Sequence, residues 1–320
     1  MTKDDETPSG GIWERELVAK LATAALKEQR RARQWGIFFK LLGFAYLTFL
    51  LVMFVDWEGR AELGGGKKHT AMVELNGTIA PGSDASAEKI IASLQAAFKD
   101  KNTQGVVLRI NSPGGSPVQS QTIYDEMRRL RKKYPEVPLY AVVEDICASG
   151  GYFVAAGADS IYVGKASIVG SIGVLMNGFG FTGLMEKLGV ERRLITAGEN
   201  KAMLDPFSPV DEKDLQHVRA LMKDVHEQFI SVVRQGRGER LKETPDMFSG
   251  LIWTGQKSVE LGLADGIGTL ESVARDVVKA EDIVDYTQKE NIAERFARRF
   301  GGAAANAVME FALRYSPAMR

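Results

Sequence analysis

Between residues 70 and 235, short apolar runs alternate with segments whose apolar residues recur at helical spacing, and few architectures accommodate that alternation. Residues 70–75 read as a strand ending at Asn76-Gly77. Residues 87–99 carry Ile90, Ile91, Leu94, Ala97 and Phe98 on one helical face. Residues 105–110 form an apolar strand of the kind buried on both faces of a parallel sheet. A helix over 118–134, a strand over 139–144, a helix from Ser149 or Gly150 and a short strand over 160–164 follow, with a further strand expected over 193–196. Residues 211–235 form a long helix with Leu215, Val218, Leu221, Met222, Val225, Phe229 and Val232 on one face. The pattern predicts an α/β fold with a largely parallel sheet. With 45% hydrophobic residues the chain can bury a sizeable core, and no repeat of solenoid length interrupts it.

The amino-terminal part differs. Residues 1–12 are polar and contain Gly and Pro, residues 13–33 are rich in helix formers, and Lys27, Arg30, Arg31 and Arg33 cluster at their end. Residues 34–55 then hold one charge, Lys40. At about 1.5 Å per residue that run matches a hydrocarbon core of roughly 30 Å, with Lys40 snorkelling and Trp35, Tyr46 and Trp57 as interfacial anchors. A transmembrane helix is therefore expected over 34–55. A cleaved signal peptide is the competing reading, disfavoured by the long charged leader and by Asp56, Trp57 and Glu58 where a small-residue cleavage site would lie. Basic residues before the span and acids after it predict a cytoplasmic amino terminus and an external remainder. Residues 56–69, with Gly64, Gly65 and Gly66, form a tether that keeps the following domain near the bilayer.

Charge excludes some functions. Lys plus Arg and Asp plus Glu both number 41, so no global field attracts nucleic acid. The single cysteine, Cys147, forms no intramolecular disulfide and lies among small apolar neighbours, as a buried small hydrophobe does. His69, His217 and His226 have no metal-ligand spacing, so no metal is expected. Two stretches carry chemistry. In Cys147-Ala148-Ser149-Gly150-Gly151-Tyr152, a serine flanked by small residues follows a strand and opens a helix, which either exposes a nucleophile or caps the helix. In Asn111-Ser112-Pro113-Gly114-Gly115-Ser116, two glycines bring backbone N–H groups close to a bound group or simply turn the chain. As a phosphate loop this stretch fails, because Gly-x-x-x-x-Gly-Lys-Ser/Thr is absent. No histidine lies near Ser149, and His217 and His226 have no companion motif. A lysine base remains, and Lys201, in the loop 196–207, is its best candidate.

Asn111-Ser-Pro-Gly-Gly115, Cys147-Ala-Ser-Gly-Gly-Tyr152, Val169-Gly-Ser-Ile-Gly-Val174 and Gly198-Glu-Asn-Lys201 follow one another in an order that resembles the signal peptide peptidase A family, the S49 serine peptidases. The resemblance covers residues 70–280. It implies a fold shared with Clp-type proteases and crotonase-like enoyl-CoA hydratases, and a membrane-anchored endopeptidase with its site outside the cytoplasmic membrane. It implies Ser149 as nucleophile, Lys201 as general base and Ser171 as the hydroxyl that orients the lysine. Gly150 and either Gly114 or Gly115 would then supply the oxyanion hole. No cofactor is implied. Substrates would be hydrophobic peptides such as remnant signal peptides, and a short single-repeat chain of this kind is expected to form a homo-oligomeric ring of eight. Residues 281–320 fall outside the resemblance, with amphipathic segments at 291–300 and 303–315. Two rivals use the same residues differently: an acyl-CoA enzyme on the same fold, and a catalytically silent scaffold for membrane-protein partners.

Overall fold

The computed structural model describes residues 10–54 and 67–288. Helix α1 (Gly10–Phe54) lies in one compact unit and residues 67–288 in another. The helix is continuous from the basic segment into the apolar one, and its described side chains are exposed along its whole length. The structure does not show the span expected over 34–55: among the described residues no helix is long and apolar enough to cross a membrane. Lys40 divides the apolar run, and the uncharged stretch beyond it reaches Val55, which lies outside the described residues. The leader up to residue 9, the tether up to residue 66 and the segments 291–300 and 303–315 also lie outside them.

The second unit is an α/β domain. Strand β1 (His69–Asn76), helix α2 (Ala87–Lys99), β2 (Thr103–Ser112), α3 (Pro117–Lys133), β3 (Leu139–Ala148), the short helix α4 (Gly150–Ala155) and β4 (Ser160–Val163) follow in the expected alternation. Then come β5 (Ile168–Gly170), α5 (Thr182–Leu188), the long α6 (Glu212–Arg237), β6 (Ile252–Thr254), α7 (Gly255–Glu260), β7 (Gly266–Ile267), α8 (Leu270–Ser272) with a π-helical turn after it, and β8 (Ile283–Asp285). The strands form one sheet in the order β6-β5-β3-β2-β1-β8, parallel except at β5–β6, with β4 and β7 branching from β3. Strand β8 lies beyond residue 280 and extends the sheet past β1.

Period-two alternation divides the core. Val73, Leu75, Val106, Leu108, Ile110, Ala141 and Val143 face α2, α3 and α4, whereas Met72, Val107 and Val142 face Leu270 and Val273. Both faces of the central strands are therefore covered, as their near-continuous apolar sequence requires. The strand expected over 193–196 does not form. Ile195 there is 94% exposed, so no neighbouring strand pairs with it or covers its apolar side.

Strand β3 serves two neighbours in succession. Its first part pairs with β4, from Tyr140↔Ser160 to Val143↔Val163, and its last residues pair with β5, ending at Ala148↔Gly170. Behind the sheet, Arg237 at the end of α6 is 1% exposed and forms a bidentate bond to Asp265, with both N···O distances 2.8 Å. Its Nε donates to the Gly262 carbonyl, and Asp265 also accepts from Ile161 N–H and from Arg240. Burial pushes the Asp265 carboxyl up, but the bonds from Arg237 and Ile161 and the two guanidinium charges outweigh it and hold the group below the usual carboxylate range.

A carboxyl held low in the folded state contributes stability that is present above its unfolded pKa, about 3.9, and is lost as pH falls through the lower folded value. Asp265→Asn leaves the Arg237 charge buried without its partner and should destabilise the domain by about 3 kcal/mol at neutral pH. Urea unfolding followed by circular dichroism measures both the loss and the flattened acid limb. An unchanged midpoint would show that the pair does not hold α6 to the sheet.

Candidate active site

The carboxyl-terminal ends of β2, β3 and β5 meet at one cleft of about 580 Å³. At the end of β3 the chain passes directly into α4 through Ser149, whose φ of 51° is uncommon for a residue with a side chain. A sharp strand-to-helix turn of this kind presents the side chain at the top of the sheet. Ser149 occupies the cap position of α4 without a side-chain capping bond, and its half-buried hydroxyl has no hydrogen-bond partner among the described residues. The capping interpretation of this serine is thereby removed.

Adjacent on β5, Ser171 repeats the conformation with φ 51°. The register Ala148↔Gly170 sets the two serines side by side, because each is the first residue past a paired position. Ser149 N–H donates to the Gly170 carbonyl at 2.8 Å, and Ser171 N–H donates to the Leu251 carbonyl at 2.8 Å. Strain of about 1–3 kcal/mol at each serine is thus held by bonds on its own backbone.

The loop after β2 supplies the facing wall. Ser112 Oγ donates to the Gly77 carbonyl at 2.6 Å and accepts from Gly114 N–H at 3.1 Å. Gly114 N–H is therefore engaged, whereas the N–H groups of Gly115 and Gly150 donate to no backbone carbonyl among the described residues. Of the two glycines the sequence left open, Gly115 is the one with a free donor beside Gly150. The approach is close: a Cβ on Gly114, where φ is 98°, would lie 2.6 Å from Gly150 N and 2.8 Å from Ser149 Cβ. The site residues gathered here are Ser149, Gly150, Gly115 and Ser171, with Gly114 directly behind them.

Lys201 is not among the residues lining the cleft. It sits in a turn of the segment 174–211, and its exposed side chain has no partner among the described residues. That segment folds mainly on itself: Phe181 stacks on Phe207 at 5.5 Å, Arg192 pairs with Asp205, and Phe181 N–H bonds the Pro206 carbonyl. It also leaves Leu175, Phe179, Leu188 and Ile195 exposed.

Other lining residues had no motif to reveal them. Val225 and Phe229 from α6 and Phe153 from α4 form an apolar wall, with Phe153 and Phe229 5.2 Å apart. Ser120, fully buried, bonds the Ser116 carbonyl at 3.0 Å at the start of α3. His226 Nε2 lies 3.2 Å from the Ile172 carbonyl, one residue past Ser171. The apolar spacing of α6 could have marked Val225 and Phe229 as a wall, but only of something unspecified. Cys147 is buried beneath Ser149, and burial pushes its thiol well up, as the small-hydrophobe reading expects. Among the described residues no group of His, Cys, Asp and Glu is placed to hold a metal.

Comparison with known proteins brings in two family models. That of Peptidase family S49 matches residues 131–284, and that of Clp protease matches residues 70–164. An Enterococcus faecium protein named putative signal peptide peptidase SppA is 30% identical over 238 residues, 72% of this chain and 69% of that one. A putative protease of Methanocaldococcus jannaschii is 32% identical over 269 residues, 80% of this chain and 85% of its own length. A Brucella abortus protein named Na(+)/H(+) antiporter NhaA is 44% identical over 209 residues, 64% of this chain. The match takes in only 28% of that protein's length, so most of the antiporter-named chain has no counterpart here.

Gly114→Ala should displace the loop from Ser149 and Gly150 rather than unfold the sheet. The expected result is a loss of about tenfold, equivalent to about 1.4 kcal/mol, in the rate at which a serine-directed fluorophosphonate labels Ser149. Intact mass spectrometry follows the adduct, and labelling at the wild-type rate would show that the close approach does not shape the site.

Proposed function

The chain belongs to the S49 family of serine peptidases, and from that premise we propose that it is a Ser/Lys endopeptidase acting on extended, apolar peptides. The observation that carries the reading is the meeting, in one apolar cleft, of an unbonded strained serine, a second serine beside it and two free backbone N–H groups. Ser149 Oγ attacks the peptide carbonyl carbon while the Lys201 amine takes the hydroxyl proton. The N–H groups of Gly115 and Gly150 hold the oxyanion. As the tetrahedral intermediate collapses the C–N bond breaks, the proton passes to the leaving amine, and water later hydrolyses the acyl-enzyme. Ser171 orients the lysine. Phe153, Val225 and Phe229 favour an apolar side chain on the substrate, which suits remnant signal peptides.

In this reading the site is completed by assembly. Lys201 lies on a segment whose exposed apolar side chains, Leu175 at 81% and Ile195 at 94% among them, need a covering surface. A second copy of the chain, in a homo-oligomeric ring of eight, covers them and brings a lysine to each cleft. An amine taken out of water loses its proton more readily, which suits the base role. The apolar part of α1, with Phe38, Phe39, Leu42, Phe44 and Leu47 exposed, holds the ring at a lipid bilayer, with the catalytic domain at the outer face of the cytoplasmic membrane. Alkaline carbonate extraction of cell membranes should leave the full chain in the pellet, and release into the supernatant would remove the bilayer from the proposal.

Ser149→Ala and Lys201→Ala should each abolish hydrolysis of a fluorogenic apolar peptide with folding intact. When the two variants are unfolded, mixed and reassembled, about one quarter of the sites should pair an intact Ser149 with an intact Lys201 from another copy and regain activity. Full turnover by Lys201→Ala would sink the dyad, and a silent mixture would sink its sharing between copies. An acyl-CoA enzyme or a silent scaffold has no task for the Ser149 hydroxyl, and Ser149→Ala would leave either working.

A further inference from the structure

Three hydrogen bonds reach the backbone of the strained turn at Ser171 from three different parts of the chain. The Gly170 carbonyl accepts from Ser149 N–H, Ser171 N–H donates to the Leu251 carbonyl, and the Ile172 carbonyl faces His226 Nε2 at 3.2 Å. The first two are made by backbone and survive any side-chain change. Among the described residues the third is the one bond to this turn made by a side chain. Gly170 has φ 110° and Ser171 φ 51°, so the backbone departs from extended geometry over two residues, and a carbonyl left free at Ile172 would let that strained segment relax. Ile172 itself is fully buried, so no water replaces the bond from the side of its side chain.

A carbonyl oxygen only accepts, so Nε2 carries the hydrogen and His226 acts as donor. The histidine is half-buried on α6 between cleft residues, with Val225 just before it and Phe229 one turn further. One helical turn therefore does two things at once: it walls the cleft and clamps the segment that carries Ser171. We propose that His226 is a positioning residue for the reaction, acting through Ser171 by holding the Ile172 carbonyl. The inference rests on the reading of Ser149 as nucleophile and Ser171 as its supporting hydroxyl. His226 takes no proton from Ser149 and touches no reacting atom.

The test uses the full chain and a fluorophosphonate probe, with adduct formation on Ser149 followed by intact mass. Wild type is measured first: absence of an adduct would defeat the nucleophile reading, and this inference with it. Given a wild-type adduct, His226→Leu keeps bulk and loses the donor, with His226→Met as a second apolar variant should the branched side chain disturb packing. Either should lower the maximal labelling rate about tenfold while the half-saturating probe concentration changes by less than about twofold. His226→Gln, whose amide N–H reaches to about the position of Nε2, should restore at least about half of the wild-type rate. In a Ser171→Ala background, His226→Leu should cause little further loss, because both act through one hydroxyl. Labelling of His226→Leu at the wild-type rate would overturn the proposal. So would a full additional loss in the Ser171→Ala background. A His226→Gln variant as slow as His226→Leu would also overturn it and point to proton transfer by the imidazole.

Discussion

The pairing of the last residues of β3 with β5 is the constraint on which the site depends. Because Ala148 lies opposite Gly170, the chain leaves both strands at the same height, and the serines that follow occupy neighbouring positions. A slip of one residue would turn Ile146 and Ala148 to the opposite face and separate the two hydroxyls. The register is specified from below: β3 first pairs with β4 through Val143↔Val163, and Cys147 and Val169 are both fully buried in the same cluster. The apolar packing that forms the sheet thus also determines where its chemistry stands.

Two serines with positive φ cost free energy, and the structure offsets that cost locally. Each has a backbone bond to a different element, Ser149 to Gly170 and Ser171 to Leu251. The glycine loop after β2 closes the third side at a distance no side chain would tolerate. Beneath, Tyr152 is fully buried with its hydroxyl on the Leu263 carbonyl, so the first turn of α4 cannot tilt away from the sheet. The bidentate bond of Arg237 to Asp265 anchors the far end of α6, the helix whose middle turns wall the cleft. Rigidity at the base and free donors at the top are what electrostatic stabilisation of an oxyanion requires.

The segment 174–211 obeys a different logic. It is held mainly by contacts within itself, such as the Phe181–Phe207 stack, and it exposes apolar side chains that the core does not need. A surface of that kind is stable in water only when something covers it, and Lys201 travels with it. In the proposed dyad, carrying Lys201 on a surface that calls for a partner would tie peptide cleavage to assembly.

Much of this was legible in the sequence. The alternation of apolar runs and helical faces sufficed for the α/β sheet, because burial on both sides of a parallel strand leaves a near-continuous apolar signature, as in Val106, Val107 and Leu108. Ser149 and the glycine pair were marked by small residues where a chain must turn sharply, whereas Ser171 came only from the family resemblance. The expected strand over 193–196 failed because strand propensity without a neighbour to bond is too weak to form one. The span over 34–55 was read from composition, and among the described residues no helix is long and apolar enough to cross a membrane. Only the tertiary structure could distinguish Gly114 from Gly115, since Gly114 N–H is bonded to Ser112 Oγ while Gly115 N–H has no such bond among the described residues. Only it could bring His226 to the carbonyl beside Ser171, since residues so far apart in sequence share no local pattern. Local chemistry and periodicity are written along the chain; which distant atoms meet is settled by packing.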